Sequence, residues 1–459
     1  MATAKADAFD TRTRRTAFRR VYDAPHVPGL RPSLTRLNAI AMVAGTIIGA
    51  SIFVQPSEIA RHLDTPGQIM LVWIVCGVLT LFGALVCAEL ASAFPQTGGV
   101  YVFLRDTFSP LAGFLWGWAM FWSMHSGIVA AIAVVFARYF AVFVPIGDTG
   151  VRVVAVAAIL ALSALNYAGV RAGSRVQTAL TGAKLAAIAI VVVVGVMASN
   201  GSPDVASTGA AARGGASFQD FLLALVAGLF AYGGWHMVTY TAGETRLPAR
   251  TIPVALVAGV GIVTVSYVAL NLVYLRILPL DALRSSTRVA ADAADAVLGR
   301  GGSAVLAALV MVSSIGGLTG IVLTGPRVYF SMAEDGLAPR WLGYVHPVHQ
   351  TPSRAIAAQA VWASVLAATG AYRELFTRVI YTEWLFFALM AGGLFVLRRR
   401  PDYRPSYRTW GYPVVPLLFI VASLAIVMNQ FVSTPGEAAV GLGLVALGAP
   451  IYYLRDAYR

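Results

Sequence analysis

Residues Gly45–Ser51 have the sequence GTIIGAS and lie in an apolar run, 37–59, that is long enough to cross a bilayer. A lipid-facing helix pairs every backbone N–H and C=O within itself, yet two glycines and two hydroxyl residues stand near the middle of this run. Glycine lowers the cost of leaving the α-helix by ~1 kcal/mol relative to alanine. A helix interrupted here would present free N–H groups and a positive dipole end to an anion. Alternatively, Gly45 and Gly49 only let a second helix approach closely.

A second stretch favours the interrupted helix. The apolar run 221–240 contains the sequence GLFAYGGWH at Gly228–His236, in which the adjacent Gly233 and Gly234 fit poorly in a continuous helix. GTIIGAS lies in the first apolar run of the chain and this sequence in the sixth. Interrupted helices at corresponding positions of two halves indicate the binding site of a transporter built from inverted repeats.

The composition is that of an integral membrane protein. Of the 459 residues, 58% are hydrophobic and 12% are charged, whereas soluble proteins are about half apolar and about a quarter charged. The net charge of +13 does not indicate nucleic-acid binding, because most arginines lie in loops and tails. The two cysteines, Cys76 and Cys87, lie about three turns apart in one predicted helix and cannot form a disulfide. No Cys/His metal spacing, P-loop or Rossmann motif occurs, so we expect no metal and no cofactor.

Runs of about twenty apolar residues predict twelve membrane-spanning helices. They are 35–60, 67–94, 108–137, 150–168, 175–198, 219–242, 251–277, 303–331, 354–370, 375–397, 413–431 and 436–454. Most of the 34 lysines and arginines fall on the side of the N-terminus, which predicts that both termini are cytoplasmic and that the loop 199–217 is external. The basic cluster Arg398–Arg400 would anchor the tenth span at the cytoplasmic lipid surface.

Lys184 is the only basic residue predicted at mid-span rather than near a helix end, and the only other lysine of the chain is Lys5. A charge at mid-bilayer costs ~2.5–3.5 kcal/mol on insertion scales, so Lys184 is expected to face the interior and a partner. Candidate partners are the carbonyls of the first span near Gly45 and the hydroxyls of Ser313 and Ser314. Lys184 is then either a structural lysine that satisfies carbonyls or a fixed or titrating cation in place of a sodium ion.

The other ionisable residues predicted at membrane depth are three glutamates and two histidines. Glu89 and Glu244 fall near the cytoplasmic ends of spans 2 and 6, where we expect capping or pairing with arginine. Glu383 lies deeper and is a candidate cavity residue. His125 and His236 are both mid-span, and each is either a hydrogen-bonded structural residue or, beside Glu383 or the buried lysine, part of a proton pathway. We also count His125, His236 and Glu383 among the candidate substrate-binding residues.

With these residues the chain resembles the amino acid–polyamine–organocation superfamily and, within it, bacterial relatives of the L-type amino acid transporter family. The similarity covers nearly all of 36–400. Its motifs are Gly45–Phe53 (GTIIGASIF), Ala88–Leu90 (AEL), Phe94–Pro95, Thr97–Tyr101 (TGGVY), Gly228–Trp235 (GLFAYGGW), Arg327–Gly336 (RVYFSMAEDG), His346–Pro347 and Thr351–Pro352.

The resemblance implies an all-α membrane fold of five plus five inverted repeats, shared with the sodium-coupled leucine transporter, in which helices 1 and 6 are discontinuous. A cytoplasmic tail (1–33) would precede the transport core (34–400), and 401–459 would hold the last two helices and a cytoplasmic C-terminus. Lys184 matches a lysine of span 5 that stands near the second sodium site of sodium-dependent relatives, and Ser313 and Ser314 resemble positions of that site.

The resemblance also implies where a substrate binds. Its carboxylate would bind backbone N–H groups, those around Gly49, Ala50 and Ser51. Its α-amino group would bind backbone carbonyls of the two interrupted spans, those around Thr46 and Ile47 and those near Phe230 and Gly233. Phe230 matches the aromatic residue that closes over the substrate.

Three departures from the family pattern leave the substrate and the coupling ion open. Ala50–Ser51 stands where the family usually has Ser-Gly, and His236 and Glu383 stand where Asn is frequent. We expect secondary-active transport of amino acids across the cell (inner) membrane, as sodium-independent exchange or, alternatively, as proton-coupled uptake of amino acids or of cationic amines such as polyamines. A multispan sensor and an intramembrane enzyme are the rival classes, but we find no soluble output domain and no clustered catalytic set. No partner protein is implied.

Overall fold

The computed structural model describes residues 30–49, 51–198, 215–286, 289–298, 301–371, 374 and 378–454. Within these ranges the regular secondary structure is helical, apart from an isolated parallel bridge between Leu34 and Thr245. Nine helical stretches of the described residues are long and apolar enough to cross a membrane, and some of them join two consecutive helices. They are Pro66–Ala93, Pro110–Phe140, Asp148–Tyr167, Val170–Met197, Phe218–Glu244, Pro248–Ile277, Ala304–Glu334, Val414–Ser433 and Pro435–Leu454. The chain is therefore a multi-pass, all-α membrane protein.

The α-helices are numbered here in chain order. They are α1 (Arg36–Ile47), α2 (Gln55–His62), α3 (Pro66–Ala93), α4 (Val100–Thr107), α5 (Pro110–Ala119), α6 (His125–Phe140), α7 (Asp148–Tyr167), α8 (Val170–Ala198), α9 (Phe218–Ala231), α10 (Pro248–Ile277), α11 (Leu280–Ser285), α12 (Val289–Leu298), α13 (Gly302–Thr324), α14 (Pro326–Glu334), α15 (Ser353–Thr369), α16 (Tyr381–Leu397), α17 (Val414–Ser433), α18 (Pro435–Ala446) and α19 (Gly448–Leu454). Short 3-10 segments lie at Ser51–Phe53, Trp235–Glu244 and Arg340–Gly343, and a π-helical turn at Met120–Met124 joins α5 to α6.

The first predicted span is interrupted within GTIIGAS. Helix α1 begins at a capping box, in which the Thr35 hydroxyl accepts the N–H of Asn38 and the Asn38 side chain accepts the N–H of Thr35. It stops at Ile48, whose backbone is extended (φ −70°, ψ 91°). A short 3-10 segment, Ser51–Phe53, and then α2 continue the chain. The backbone of α1 therefore ends in the interior of the bundle.

The sixth predicted span is interrupted at the paired glycines. Helix α9 ends at Ala231, and the 3-10 segment Trp235–Glu244 resumes the span. Gly234 has a φ of +95°, and a Cβ atom there would lie 3.2 Å from the carbonyl oxygen of Thr46. Glycine is needed at this position because an L side chain would be strained and would press on α1.

Two of the predicted spans are represented by shorter helices. The run 354–370 corresponds to α15 and the run 375–397 to α16, each of 17 residues. Both are below the length of about twenty residues that a helix along the bilayer normal needs.

Helix α1 lies at the centre of the packing. It contacts α8, α10, α13 and the 3-10 part of span 6. Glycines make these contacts close, since a Cβ at Gly45 would overlap side chains of α8, one at Gly259 would overlap Val43, and one at Gly320 would press on Thr46. Small residues at helix contacts compensate for the weak hydrophobic drive between helices in lipid. The interrupted part of span 1 is consequently enclosed by rigid helices.

Candidate functional site

The end of α1 holds a buried cation. The last four carbonyls of a helix lack partners within the helix. The ammonium group of Lys184, from α8, donates to two of them, the carbonyls of Gly45 and Ile48, at Nζ–O distances of 2.8 and 2.6 Å. The lysine is only 1% exposed. A cation at this position also complements the negative end of the α1 dipole.

Space for the lysine comes from α13. A Cβ atom at Gly316 would lie 3.1 Å from Nζ of Lys184 and still closer to its Cε atom. Sequence reasoning missed this glycine, although the adjacent pair Gly316–Gly317 inside an apolar span is the kind of signal that marks a close approach.

The two serines predicted beside Lys184 have different surroundings. The Ser313 hydroxyl lies 3.2 Å from the Gly49 carbonyl and 3.4 Å from the Ile48 carbonyl, which it shares with Lys184. The Ser314 hydroxyl is buried and makes no hydrogen bond with any residue that the structure describes. The described hydrogen bonds of Lys184 go to carbonyls of span 1 rather than to either serine.

A tyrosine that sequence reasoning missed joins the two interrupted helices. The Tyr267 hydroxyl, from α10, lies 3.1 Å from the Ile47 carbonyl and 3.2 Å from the Ala231 carbonyl, the last residues of α1 and α9. The Thr46 hydroxyl, which also bonds within α1, lies 3.2 Å from the carbonyl of Gly234. Tyr267 could have been suspected from its sequence position, because a tyrosine buried mid-span needs a partner for its hydroxyl.

The N–H side of the first interruption is described only in part. Ala50, one of the three residues predicted to bind a carboxylate, lies outside the described residues. Gly49 is buried, and a Cβ atom there would make only ordinary contacts, with the Ile47 carbonyl oxygen and the Ser51 hydroxyl at 4.0 Å. Ser51 opens the 3-10 segment that precedes α2, and its carbonyl accepts the N–H of Val54 at 3.1 Å.

On span 6, Phe230 and Gly233 lie at the end of α9. The Gly233 N–H donates to the Phe230 carbonyl at 3.2 Å, which closes the last turn. The Phe230 side chain is 44% exposed, while its neighbours Leu229 and Ala231 are buried. This aromatic ring therefore faces away from the packed core.

His236 and Glu383 come together. Nε2 of the buried histidine lies 3.5 Å from Oε1 of Glu383, although neither ring nitrogen has a hydrogen bond of good geometry with a described residue. Aromatic rings surround the imidazole, and their centroids lie 4.8–5.8 Å from it: Trp116, Trp235, Tyr240 and Phe387. The Glu383 side chain is 13% exposed, so its carboxylate lies at the accessible edge of this aromatic enclosure.

His125 follows the π-helical turn and has different contacts. Its Nε2 lies 2.9 Å from the carbonyl of Ile321 in α13, and its ring centroid is 6.5 Å from that of Tyr240. The described contacts of His125 therefore involve neither Lys184 nor Glu383.

Both glutamates at the predicted cytoplasmic ends of spans pair with arginine, as the sequence predicts. Arg398 donates to both carboxylate oxygens of Glu89, and the N–H of Thr409 donates to one of them at 2.6 Å. Arg327 likewise donates to both carboxylate oxygens of Glu244. These pairs connect span 2 to the segment after α16, and span 6 to α14.

Comparison with known proteins agrees with this architecture. The family described as "Amino acid permease" matches residues 34–452. The human cystine/glutamate transporter is 30% identical over 431 residues, which cover 93% of this chain and 85% of the relative. The serine/threonine exchanger SteT of Bacillus subtilis (strain 168) is 30% identical over 429 residues, 93% of this chain and 97% of the relative. The human b(0,+)-type amino acid transporter 1 is 31% identical over 440 residues, 94% of this chain and 88% of the relative. The family match over residues 34–452 and the similarity to these relatives along nearly the whole chain show that the protein belongs to the amino acid permease family and is a transporter, not an enzyme.

Proposed function

We propose that this protein exchanges amino acids across the cell membrane by alternating access, without sodium. Three relatives of nearly full-length similarity are named as amino acid transporters, and one of them is named as an exchanger. The proposal includes the finer architecture: twelve spans, with cytoplasmic termini, arranged as two inverted repeats. Interruptions in the first and the sixth predicted span support the repeat.

The observation that carries the proposal is the position of Lys184. Its ammonium group bonds the Gly45 and Ile48 carbonyls at the end of α1, and Ser313 bonds the Gly49 carbonyl next to them. By the family resemblance, a coupling sodium ion would stand among these carbonyls. A covalently held cation there supplies the charge permanently, so the transport cycle needs no sodium gradient.

The substrate site in this proposal lies between the two interruptions. The carboxylate would bind N–H groups where the chain resumes after α1, and the α-amino group would bind carbonyls where α1 and α9 end. The proposed residues are Gly49, Ala50 and Ser51 for the carboxylate, and Thr46, Ile47, Phe230 and Gly233 for the amino group, with the Phe230 ring as the gate. The exposed Phe230 ring and the lack of any contact closer than 4.0 Å to a Cβ atom at Gly49, among the described residues, support this placement.

Counterflow in proteoliposomes tests the proposal. Vesicles loaded with an unlabelled amino acid mixture should accumulate the labelled substrate, whereas empty vesicles should not. Replacing external sodium by choline should leave the rate unchanged. Uptake that requires sodium, or that proceeds equally into empty vesicles, would contradict exchange without sodium.

The contact between His236 and Glu383 favours a second candidate, proton-coupled uptake of amino acids or cationic amines. A carboxylate beside an imidazole can hold one proton between them, and the aromatic faces around it favour a cation. If the protein works by proton-coupled uptake, an inward proton gradient should drive uptake into empty vesicles. Glu383→Gln should remove that drive and keep counterflow.

A further inference from the structure

The segment 398–413, which connects α16 to α17, is strongly basic. It contains five arginines and one acidic residue, Asp402. Two of these arginines bond to the protein itself. Arg398 pairs with Glu89, and Arg400 donates to two carbonyls at the end of α4, at 3.1 and 2.8 Å. These two side chains are therefore already engaged, and the basic surface of the segment lies further along the chain.

The end of this segment is fixed on α3 with an arginine pointing outward. Thr409 is buried, and its N–H donates to the Glu89 carboxylate at 2.6 Å while its hydroxyl donates to the Leu85 carbonyl at 3.1 Å. The neighbours on either side, Arg408 and Trp410, are exposed. Because Thr409 is held by two hydrogen bonds, the positions of Arg408 and Trp410 on the outer surface are fixed as well.

A second exposed arginine, Arg250, lies in the first turn of α10. The Ser406 hydroxyl donates to the Ala249 carbonyl at 3.2 Å, which joins the basic segment to the start of this helix. Arg250 and Arg408 lie one and two residues from the bonded pair. Their Cα atoms are therefore within about 4 Å and about 8 Å of the Cα atoms of Ala249 and Ser406, respectively. The starts of α10 and α17 thus present arginines to one region of the surface.

The guanidinium groups of Arg250 and Arg408 make no hydrogen bond or ion pair with any residue that the structure describes. Other exposed arginines of this protein have acidic partners, as Arg61 has in Glu58. A guanidinium group presents its donors in a planar fork that matches the oxygens of a phosphate group. Two such groups near each other, without a described carboxylate partner, point to an anion from outside the chain.

The surface next to these arginines is apolar. On α10, Val254 and Val257 follow Arg250 by four and seven residues, so they share its face, and they are 41% and 37% exposed. At the start of α17, Val414 and Leu417 are 58% and 48% exposed. Both helices are long and apolar enough to cross a membrane, and exposed apolar faces of such helices lie against acyl chains. The anion is therefore expected to carry apolar chains.

Two large apolar side chains beside the arginines also favour a membrane lipid. Trp410 is 77% exposed and Leu247 is 73% exposed. Tryptophan is enriched where the hydrocarbon region meets the headgroups, because its ring is apolar and its N–H is polar. A soluble anion such as inorganic phosphate gains nothing from these side chains, whereas a lipid contacts them together with the arginines.

We propose that Arg250 and Arg408 bind the phosphate group of one anionic phospholipid, whose acyl chains lie along the outer faces of α10 and α17. An anionic lipid is favoured over phosphatidylcholine, because the choline group cancels the charge of its phosphate. The site adjoins the transport core, since the N–H of Arg246 donates to the Leu34 carbonyl at 2.9 Å in the segment that leads into α1. The bound lipid therefore holds the start of α10 beside that segment.

Native mass spectrometry of the full chain tests the proposal. The protein in detergent is mixed with equal amounts of phosphatidylglycerol and phosphatidylcholine that have the same acyl chains. Each arginine near a lipid surface contributes about fivefold in affinity, so the parent should retain phosphatidylglycerol at least about tenfold better. Equal retention of the two lipids would overturn the proposal. Displacement of phosphatidylglycerol by inorganic phosphate at equal concentration would overturn the assignment to a lipid.

Matched variants separate this site from general attraction to a basic protein. Arg250→Gln and Arg408→Gln should each lower the affinity for phosphatidylglycerol about fivefold. Arg340→Gln removes the same charge from an exposed arginine of another segment and should leave that affinity unchanged. An equal loss in Arg340→Gln would refute the site.

The double variant tests whether the two arginines share one phosphate. Residues with a common partner are energetically coupled, so the loss of affinity in Arg250→Gln/Arg408→Gln should differ at least about twofold from the product of the single losses. A loss equal to that product would show that the arginines act independently, which would refute the shared headgroup.

Discussion

Arg327 and Glu244 form a two-point ion pair in the protein interior, with Nε–Oε2 and Nη2–Oε1 distances of 2.8 and 2.9 Å. Both side chains are nearly inaccessible, with exposed fractions of 0% and 1%. The backbone carbonyl of Glu244 also accepts the N–H groups of Ser33 and Leu34. The pair thus connects α14, the end of the sixth span and the segment that leads into α1.

The first prediction concerns this pair. Arg327→Ala leaves the Glu244 carboxylate buried without its partner, and breaking a buried pair in this way costs about 3–5 kcal/mol. We expect a large drop in the thermal unfolding temperature in detergent. Arg61→Ala breaks the exposed pair with Glu58, whose side chains are 43% and 41% exposed, and should cost no more than about 1 kcal/mol. Equal shifts in the two variants would show that burial does not determine the stability of the pair.

The second prediction concerns Lys184. Lys184→Ala leaves the Gly45 carbonyl without its described donor and the Ile48 carbonyl with only the Ser313 hydroxyl at 3.4 Å. A buried polar group left unpaired costs about 1–3 kcal/mol. We expect counterflow to be lost and the unfolding temperature to fall. Gly182→Ala is the control on the same helix, since a Cβ there meets nothing within 4 Å, and it should keep full activity.

Counterflow at several pH values, in the parent protein and in Lys184→Arg, separates a fixed cation at Lys184 from a titrating one. If Lys184 stays charged, counterflow in the parent protein should persist at alkaline pH and be insensitive to sodium. Loss of exchange at alkaline pH in the parent, with activity kept in Lys184→Arg, would indicate titration instead. Full activity of Lys184→Ala would remove this residue from the mechanism.

The third prediction distinguishes two glycines of the first interruption. A Cβ atom at Gly49 would have no contact closer than 4.0 Å with the described residues, so Gly49→Val should still fold and insert but lose substrate binding, because the added bulk occupies the proposed carboxylate site. Gly45→Val should instead lower the yield of folded protein, because its Cβ would overlap Gln177 and Thr181. Size-exclusion profiles and a substrate-dependent thermal shift measure the two effects. Unaltered substrate affinity in Gly49→Val would exclude the carboxylate from this position.

The fourth prediction concerns orientation in the membrane. The distribution of arginines predicts that the loop 199–217 is external, and its residues 199–214 lie outside the described residues. A cysteine introduced by Ser207→Cys should react with an impermeant maleimide in intact cells, while the parent, whose Cys76 and Cys87 are buried, should not. Reaction only after permeabilisation would reverse the proposed topology.

Candidate positions for the interruptions were predictable from sequence, because glycine weakens a helix and Gly49 and the pair Gly233–Gly234 lie where α1 and α9 stop. The pair Gly316–Gly317 nevertheless lies inside the continuous helix α13, so the correspondence between the first and sixth spans was needed to choose among the glycines. The long apolar runs were equally predictable, since residence in lipid depends on length and composition. The runs 354–370 and 375–397 show the limit of this reasoning. The helices there are only 17 residues long, and the apolar composition of a run does not predict the residues at which its helix begins and ends.

Which polar groups meet was not predictable from sequence, because each contact depends on how distant helices pack. The carbonyls near Gly45 were expected as partners of Lys184, but the bond to the Ile48 carbonyl, and the absence of a described bond to Ser314, depend on how α8 packs against α13 at Gly316. Tyr267 carries no motif, yet its hydroxyl joins the ends of α1 and α9. Local chemistry therefore marks where the backbone can leave the helix, whereas the tertiary packing decides which of these positions are broken and which side chains stabilise the breaks.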